Sequence, residues 1–267
     1  MKALITGMNG AVGQALRAHL TANGVEVFGW DRRSVPPEDA AGAAALLREV
    51  QPDVLFHLAT ASQPTGRDNE GWLVNVEWSE RLAALCQEID CRFLFTSSVM
   101  VFSDDAPGPF TPQSVPDARA GYGYEKLQAE HRVRQVNPEA IVARLGWQIG
   151  TSAGSNNMID FFETQMAQQG QVNASRRWLP ACSFLDDTGA ALKRLAFGSK
   201  PGDVYLLNAN LKWTFYQIAQ ALNRKHGGHW TIVANDDFVY DQRMLDERVT
   251  LPPLESRLDF SAGSTAV

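Results

Sequence analysis

Through the first 150 residues, short apolar runs alternate with longer stretches of helical spacing. The runs are Ala3 to Thr6, Val25 to Gly29, Val54 to Leu58, Phe93 to Thr96 and Ala140 to Ala143. They are apolar at successive positions rather than at alternate ones, the pattern of strands covered on both faces. Between them lie Gln14 to Ala22, Ala40 to Val50, Trp72 to Ile89 and Tyr122 to Val136, whose apolar residues recur at helical intervals. Strands separated by helical segments predict βαβ units and a parallel sheet with helices on both sides.

The pattern degrades after Gly150. Residues 151–183 are rich in Ser, Asn, Gln and Gly, with one helical stretch at Met158 to Ala167. Asp186 to Phe197 reads as a helix, with Asp186-Asp187 as its N-cap. Val204 to Leu207, Trp213 to Asn223 and Trp230 to Val233 predict strand, helix, strand. The expected division is a larger domain over 1–150 and a small irregular lobe over 151–267, with the chain crossing between the two. The tail from Ser261 to Val267 is small and polar, and is expected to fray. No internal repeat or low-complexity linker interrupts this order.

The first strand runs into Gly7-Met8-Asn9-Gly10-Ala11-Val12-Gly13, a G-x-x-G-x-x-G loop that opens a helix. Glycines there permit a tight turn, let backbone approach a pyrophosphate, and let helix and strand pack closely. The helix N-terminus adds N–H groups and a partial positive charge. Gly7, Asn9, Gly10, Ala11, Val12 and Gly13 are therefore expected to cradle a dinucleotide. The second strand ends at Asp31-Arg32-Arg33. Asp31 lies near the distance expected of a ribose-binding acid and would repel a 2′-phosphate, whereas Arg32 could hold one. The alternative for each arginine is a solvated surface charge. The balance favours NAD over NADP.

Gly121-Tyr122-Gly123-Tyr124-Glu125-Lys126 contains Y-x-x-x-K. Positions four apart share a helix face, so Tyr122 and Lys126 meet, while Tyr124 points elsewhere. A phenol acting as acid/base near neutrality needs a lowered pKa, and a nearby ammonium favours the phenolate. Upstream, Thr96-Ser97-Ser98 is a strand end carrying hydroxyls. Ser97 and Ser98 should face opposite sides, so only one can bind a substrate carbonyl.

These motifs together resemble the extended short-chain dehydrogenases/reductases (the NAD-dependent epimerase/dehydratase family), most of all the branch containing dTDP-4-dehydrorhamnose reductase. The family's glycine loop is similar to Gly7, Gly10 and Gly13. Its His-Leu-Ala-Ala strand end is similar to His57-Leu58-Ala59-Thr60, and its Asn-Val motif to Asn75-Val76. Its Tyr-Gly-x-x-Lys-Leu-x-x-Glu helix is similar to Tyr122-Gly123, Lys126-Leu127 and Glu130. The reductase branch's Arg-x-x-Trp-x-x-Gly is similar to Arg144, Trp147 and Gly150. The likeness covers residues 1 to 150 well and the remainder loosely. The stretch Ser97-Ser98-Val99-Met100-Val101-Phe102 lacks the acid of the reductases' Ser-Thr-Asp-Tyr-Val-Phe, and its paired serines look more like the epimerases.

The resemblance implies an α/β fold, a Rossmann-type doubly wound parallel sheet with a small C-terminal substrate lobe. It implies that Ser98 polarises a carbonyl, Tyr122 transfers the proton, and Lys126 holds the ribose and tunes Tyr122. Leu58, Ala59 and Asn75 would line the cofactor, and Trp147 the substrate. Arg176 and Arg177 lie in the variable loop, where they could bind a substrate diphosphate or stand as solvated surface charges. His57 reads first as a hydrogen-bonded residue beside the cofactor, and Asn75 as a residue that positions a neighbouring loop. The expected reaction is NAD(P)-dependent oxidation or reduction of a keto or hydroxy group on a sugar or sugar nucleotide. The alternatives are an epimerase or dehydratase with tightly bound NAD, or a non-catalytic, cofactor-binding regulatory subunit.

Composition narrows the classes further. The net charge is −6 and the pI about 5.4, so the basic footprint that nucleic acid requires is missing. The three cysteines form no CxxC pair and are expected to be reduced thiols. No spacing suggests a catalytic metal, and no apolar run approaches a membrane span. A cytoplasmic protein is expected from this, and the family resemblance implies a homodimer.

Overall fold

In the computed structural model, residues 1–61, 68–198 and 200–261 are described. The segment 262–267 of the expected frayed tail lies outside them.

Six strands form one parallel sheet: β1 (Lys2–Thr6), β2 (Glu26–Gly29), β3 (Val54–His57), β4 (Arg92–Ser98), β5 (Ile141–Leu145) and, after four short strands, β10 (Val204–Leu207). Their order is β10-β5-β4-β3-β1-β2, with every neighbouring pair parallel. The direction of travel reverses at β1, which has β2 on one side and β3 on the other. In doubly wound folds a ligand crevice opens at that switch point, outside the carboxyl ends of the strands.

The unbroken apolar character of these strands has a simple cause. Ala3, Ile5, Val54, Phe56, Leu94, Ile141 and Ala143 enter one hydrophobic core. Their neighbours Leu4, Leu55, Phe93, Phe95 and Val142 enter another on the opposite face. Side chains alternate sides along a strand, and both sides are dry.

Helices α1 (Ala11–Ala22) and α7 (Leu185–Gly198) cover the first core, and they pack against each other. A Cβ on Gly189 would lie 3.1 Å from the backbone of Ala15 and Leu16, so the glycine permits the close approach. Helices α2 (Ala40–Val50), α4 (Trp78–Glu88) and α5 (Gly121–Val136) cover the second core. The expected helix from Trp72 to Ile89 is in fact three pieces. They are a short α3 (Glu70–Trp72), one π-helical turn over Leu73–Glu77, and α4.

The rest of the chain is smaller in scale. It contains β6 (Trp147–Ile149), α6 (Met158–Gln169), β7 (Val172–Ser175), β8 (Trp178–Leu179), β9 (Cys182–Phe184), α8 (Phe215–Lys225), β11 (Ile232–Asn235) and β12 (Tyr240–Asp241). The short strands join as parallel pairs, β6 with β9, β7 with β11 and β8 with β12. β10 pairs with β5 in the large sheet and α7 packs on its first core, so the chain returns from the small lobe to the sheet. Asp186-Asp187 also differs from its expected role. Helix α7 starts at Leu185, and Asp187 accepts a hydrogen bond from Arg257 at 2.5 Å, with Asp186 3.6 Å from the same guanidinium. The acids tie the helix start to the end of the chain rather than capping it.

Candidate active site

The glycine loop sits where β1 turns into α1. Gly7 has φ +67°, and a Cβ there would lie 2.8 Å from the backbone nitrogen of Ala59. At Gly13 a Cβ would lie 2.2 Å from the Gly7 carbonyl oxygen. Both positions therefore exclude a side chain, one by conformation and contact, the other by contact alone. Gly10 is different. It is exposed, and only the Gly7 carbonyl lies near its would-be Cβ, at 3.3 Å. It precedes α1 as an N-cap with no side-chain cap. The first N–H groups of α1 therefore face the loop mouth with no side chain to satisfy them, as an anion site requires. Asn9 is exposed, and Ala11 and Val12 are half-buried, around this mouth. The cradle fits a dinucleotide's phosphates.

Asp31 is exposed beyond the end of β2. Its carboxylate accepts the Arg33 N–H at 3.0 Å and the Ser34 hydroxyl at 2.9 Å. The Arg33 N–H, and after it the Ser34 hydroxyl, hold its pKa below the ordinary value. Arg32 reaches Glu70 at 3.3 Å.

A buried chain of hydrogen bonds anchors the next strand end. Thr6 Oγ1 accepts the N–H groups of Leu58 and Ala59, each at 3.1 Å. Its own proton then goes to His57 Nδ1 at 2.8 Å. His57 Nε2 lies 2.9 Å from Ser79 Oγ, which donates to the Asn75 carbonyl. These directions fit one neutral tautomer, with the proton on Nε2. Burial, followed by the Lys126 charge, pushes the His57 pKa well down, in keeping with a neutral ring. His57 thus fixes β3 to α4, and Leu58 and Ala59 are held beside Gly7.

Asn75 is wholly buried in the π-turn. Its Oδ1 accepts from Thr60 Oγ1 and from the Ala61 N–H, both at 2.9 Å. Its Nδ2 donates to the Ala61 carbonyl at 2.9 Å and to Glu125 at 2.7 Å. The amide is spent on the loop after β3 and on α5.

Tyr122 and Lys126 share one face of α5, as their spacing predicts. Lys126 Nζ lies 5.8 Å from the Tyr122 ring centre and 4.6 Å from that of Phe95, and donates to the Thr96 carbonyl at 3.0 Å. Lys126 is 1% exposed. Burial lowers its pKa to about 7, against the opposing pull of Glu130 and Glu125. Tyr124 instead turns its ring toward Trp72, with centres 6.5 Å apart. One expectation is corrected here. Burial raises the Tyr122 pKa above its ordinary value, a contact with Thr60 opposes the rise, and Lys126 is not among the causes.

The two serines divide as the strand requires. Ser97 is buried, and its hydroxyl has no partner among the described residues. Ser98 is half-buried, and its Oγ accepts the Met100 N–H at 3.1 Å, capping the 3₁₀ turn Val99–Val101. That bond uses a lone pair and leaves the Ser98 proton free to donate. Gly123 brings the helix to this turn, since a Cβ there would lie 2.0 Å from the Met100 carbonyl oxygen.

Trp147 follows Leu145, which stands opposite Ser98 in the sheet register. It stacks on Trp178 at 5.8 Å and meets Phe161 edge-on at 5.2 Å, forming an aromatic wall at the carboxyl ends of the strands. Arg176 lies farther out, exposed and paired with Asp236 at 2.7 Å. Glu130 and Arg144 form a buried two-bonded pair, at 2.9 and 2.7 Å, that braces α5 on β5. Sequence reading singled out both without a role. It missed the Thr60 contact with Tyr122, whose one signal is a threonine where the family resemblance has alanine. A cavity of about 1110 Å³, lined by Arg48, Asp53, Arg92 and Glu139 among others, contains none of these groups. Among the described residues no cluster of His, Cys, Asp and Glu could hold a metal, and no helix is long and apolar enough to cross a membrane.

The family model for the RmlD substrate binding domain matches residues 1–228. The chain belongs to the RmlD substrate-binding domain family. The relatives of this RmlD-family chain are of more than one kind. It is 31% identical over 154 residues to the methionine adenosyltransferase 2 subunit beta of Xenopus tropicalis, covering 54% of this chain and 46% of that protein. The chain thus spans about half the length of that relative. It is 24% identical over 208 residues to the dTDP-4-dehydrorhamnose reductase of Mycobacterium tuberculosis, covering 75% of this chain and 67% of the relative. Among solved structures, the dTDP-4-dehydrorhamnose reductase of Bacillus anthracis in complex with NADP superimposes with TM-score 0.80 at 14% identity over 96% of both chains. The Bordetella bronchiseptica enzyme WbmH in complex with NAD+ does so with TM-score 0.78 at 16% identity, over 96% of this chain and 95% of that one. The RmlD-family chain therefore has the Rossmann-type fold of these enzymes.

Proposed function

We propose that this chain is a nicotinamide-dependent oxidoreductase of the extended short-chain type that reduces a keto group on a nucleotide-linked sugar. The observation that carries the reading is Tyr122 and Lys126 on one face of α5, which Gly123 brings against the turn capped by Ser98. The glycine cradle would hold the pyrophosphate, and Asp31 the adenosine ribose, which favours NAD. A bound nicotinamide supplies the hydride. Ser98 would hydrogen-bond the reacting oxygen through its hydroxyl and keep its proton, Tyr122 would transfer the one proton that oxygen takes up, and Lys126 would reach toward the ribose. A carbonyl gaining hydride becomes an alkoxide, so donors aimed at its oxygen act where charge develops. Trp147 offers a flat wall to the sugar or base, and Arg176 could exchange Asp236 for a diphosphate.

The test is reduction of dTDP-linked and other nucleotide-linked 4-ketosugars with NADH and with NADPH. Tyr122→Phe should bind cofactor as before and lose roughly 10²–10⁴-fold in turnover. Full turnover in that variant rejects the assignment. The likeness to a methionine adenosyltransferase subunit favours a second reading, a cofactor-binding regulatory subunit. Tight cofactor binding, with no turnover across the panel, would favour it.

A further inference from the structure

The Thr60 hydroxyl has one proton and two acceptors. Asn75 Oδ1 is 2.9 Å away and the Tyr122 phenol oxygen 3.4 Å away. While the phenol is neutral, the nearer amide oxygen holds that proton. A phenolate reverses the preference, because a hydrogen bond to a charged acceptor is about twice as strong as one between neutral groups. Asn75 loses little by the exchange, since its Oδ1 keeps the Ala61 N–H. The other three bonds of the Asn75 amide, with the Ala61 N–H, the Ala61 carbonyl and Glu125, hold it in place through the exchange.

We propose that Thr60 is a positioning residue for Tyr122, a hydroxyl that turns from Asn75 to the phenol oxygen as that oxygen gives up its proton. The inference rests on the reading of Tyr122 as the acid/base. In the reductive direction the Tyr122 proton passes to the substrate oxygen and the charge moves to the phenol oxygen. The Thr60 O–H then points at that charge, and no bond of Thr60 itself breaks. Thr60 answers a need that Lys126 leaves open. Burial raises the Tyr122 pKa, and the Thr60 hydroxyl opposes that rise.

The experiment is a pH titration of ring-labelled tyrosine by carbon NMR on the full chain without substrate, with Tyr122→Phe assigning the resonance. Thr60→Val should raise the Tyr122 midpoint by about one pH unit, the worth of one charged hydrogen bond. Thr60→Ser, which keeps the hydroxyl, should return it to the wild-type midpoint. Equal midpoints in wild type and Thr60→Val overturn the proposal. So does a shift that serine fails to reverse, because that marks lost packing rather than a lost donor. With the keto-sugar panel, Thr60→Val should slow turnover about tenfold and Thr60→Ser much less. Undiminished turnover in Tyr122→Phe would reject the acid/base role, while the titration would still read the Thr60–Tyr122 bond.

Discussion

Lys126 is a cation held where water cannot follow. Its pKa near 7 in the fold, against 10.5 for the free side chain, means that the unfolded chain binds more protons between those values. Wild-type stability therefore rises with pH through the window from 7 to 10.5, and below 7 the full penalty remains. Lys126→Met removes the slope. It also removes the bond to the Thr96 carbonyl, but that loss, about 1 kcal/mol, is the same at every pH. The variant should be more stable than wild type at pH 6, and about 2–3 kcal/mol of its advantage should disappear by pH 9. Denaturant unfolding at the two pH values measures this, and a difference independent of pH would contradict it. At this scale the sequence was informative wherever spacing alone decides. The i,i+4 rule separates Tyr122 from Tyr124, and strand alternation separates Ser97 from Ser98. It was silent on Thr60, whose partner stands 62 positions away and is brought near by the sheet.

Among the elements, the strands were legible because two-sided burial writes itself as unbroken apolar runs. Their ends were less so, since Ala140 to Ala143 predicts a strand that runs over Ile141–Leu145, where apolar character does not mark the last pairing. The π-turn at Leu73–Glu77 could not be read from helical spacing, because it breaks that period to place one side chain, Asn75. Such turns recur at functional sites. The contact of α5 with the turn after β4 gives a test at this scale. Gly123→Ala places a methyl 2.0 Å from the Met100 carbonyl, so helix and turn must separate. We expect a loss of about 1–3 kcal/mol in stability and a larger fall in turnover than in cofactor affinity, because Tyr122 and Ser98 move apart while the glycine cradle stays in place. Unfolding and cofactor titration of the same variant would reveal whether only stability suffers.

For the molecule as a whole, the expected boundary at residue 150 marks a change of texture and not a division of the core. Ala191, Leu192, Leu195, Tyr205 and Leu207 share one hydrophobic core with Ile5, Leu16 and Phe56. The composition of residues 151–183 signals irregular structure, but nothing in it signals that the next helix returns to the large sheet. A fragment of residues 1–150 should therefore lack cooperative unfolding, with the α1 side of its sheet laid open. Extension to residue 207 should restore a good part of the protection. Limited proteolysis and thermal melts of the two fragments compare them directly, and a sharp transition in the shorter one would show that the N-terminal half folds alone.

That return of the chain also sets an order of events during synthesis. The first five sheet strands leave the ribosome with one face still waiting for α7 and the sixth strand. At about 5–20 residues per second, the interval lasts roughly 3–12 s. Throughout it, Phe56, Leu94 and their neighbours are a greasy surface on a growing chain, and a ribosome-bound chaperone has that long to cover them.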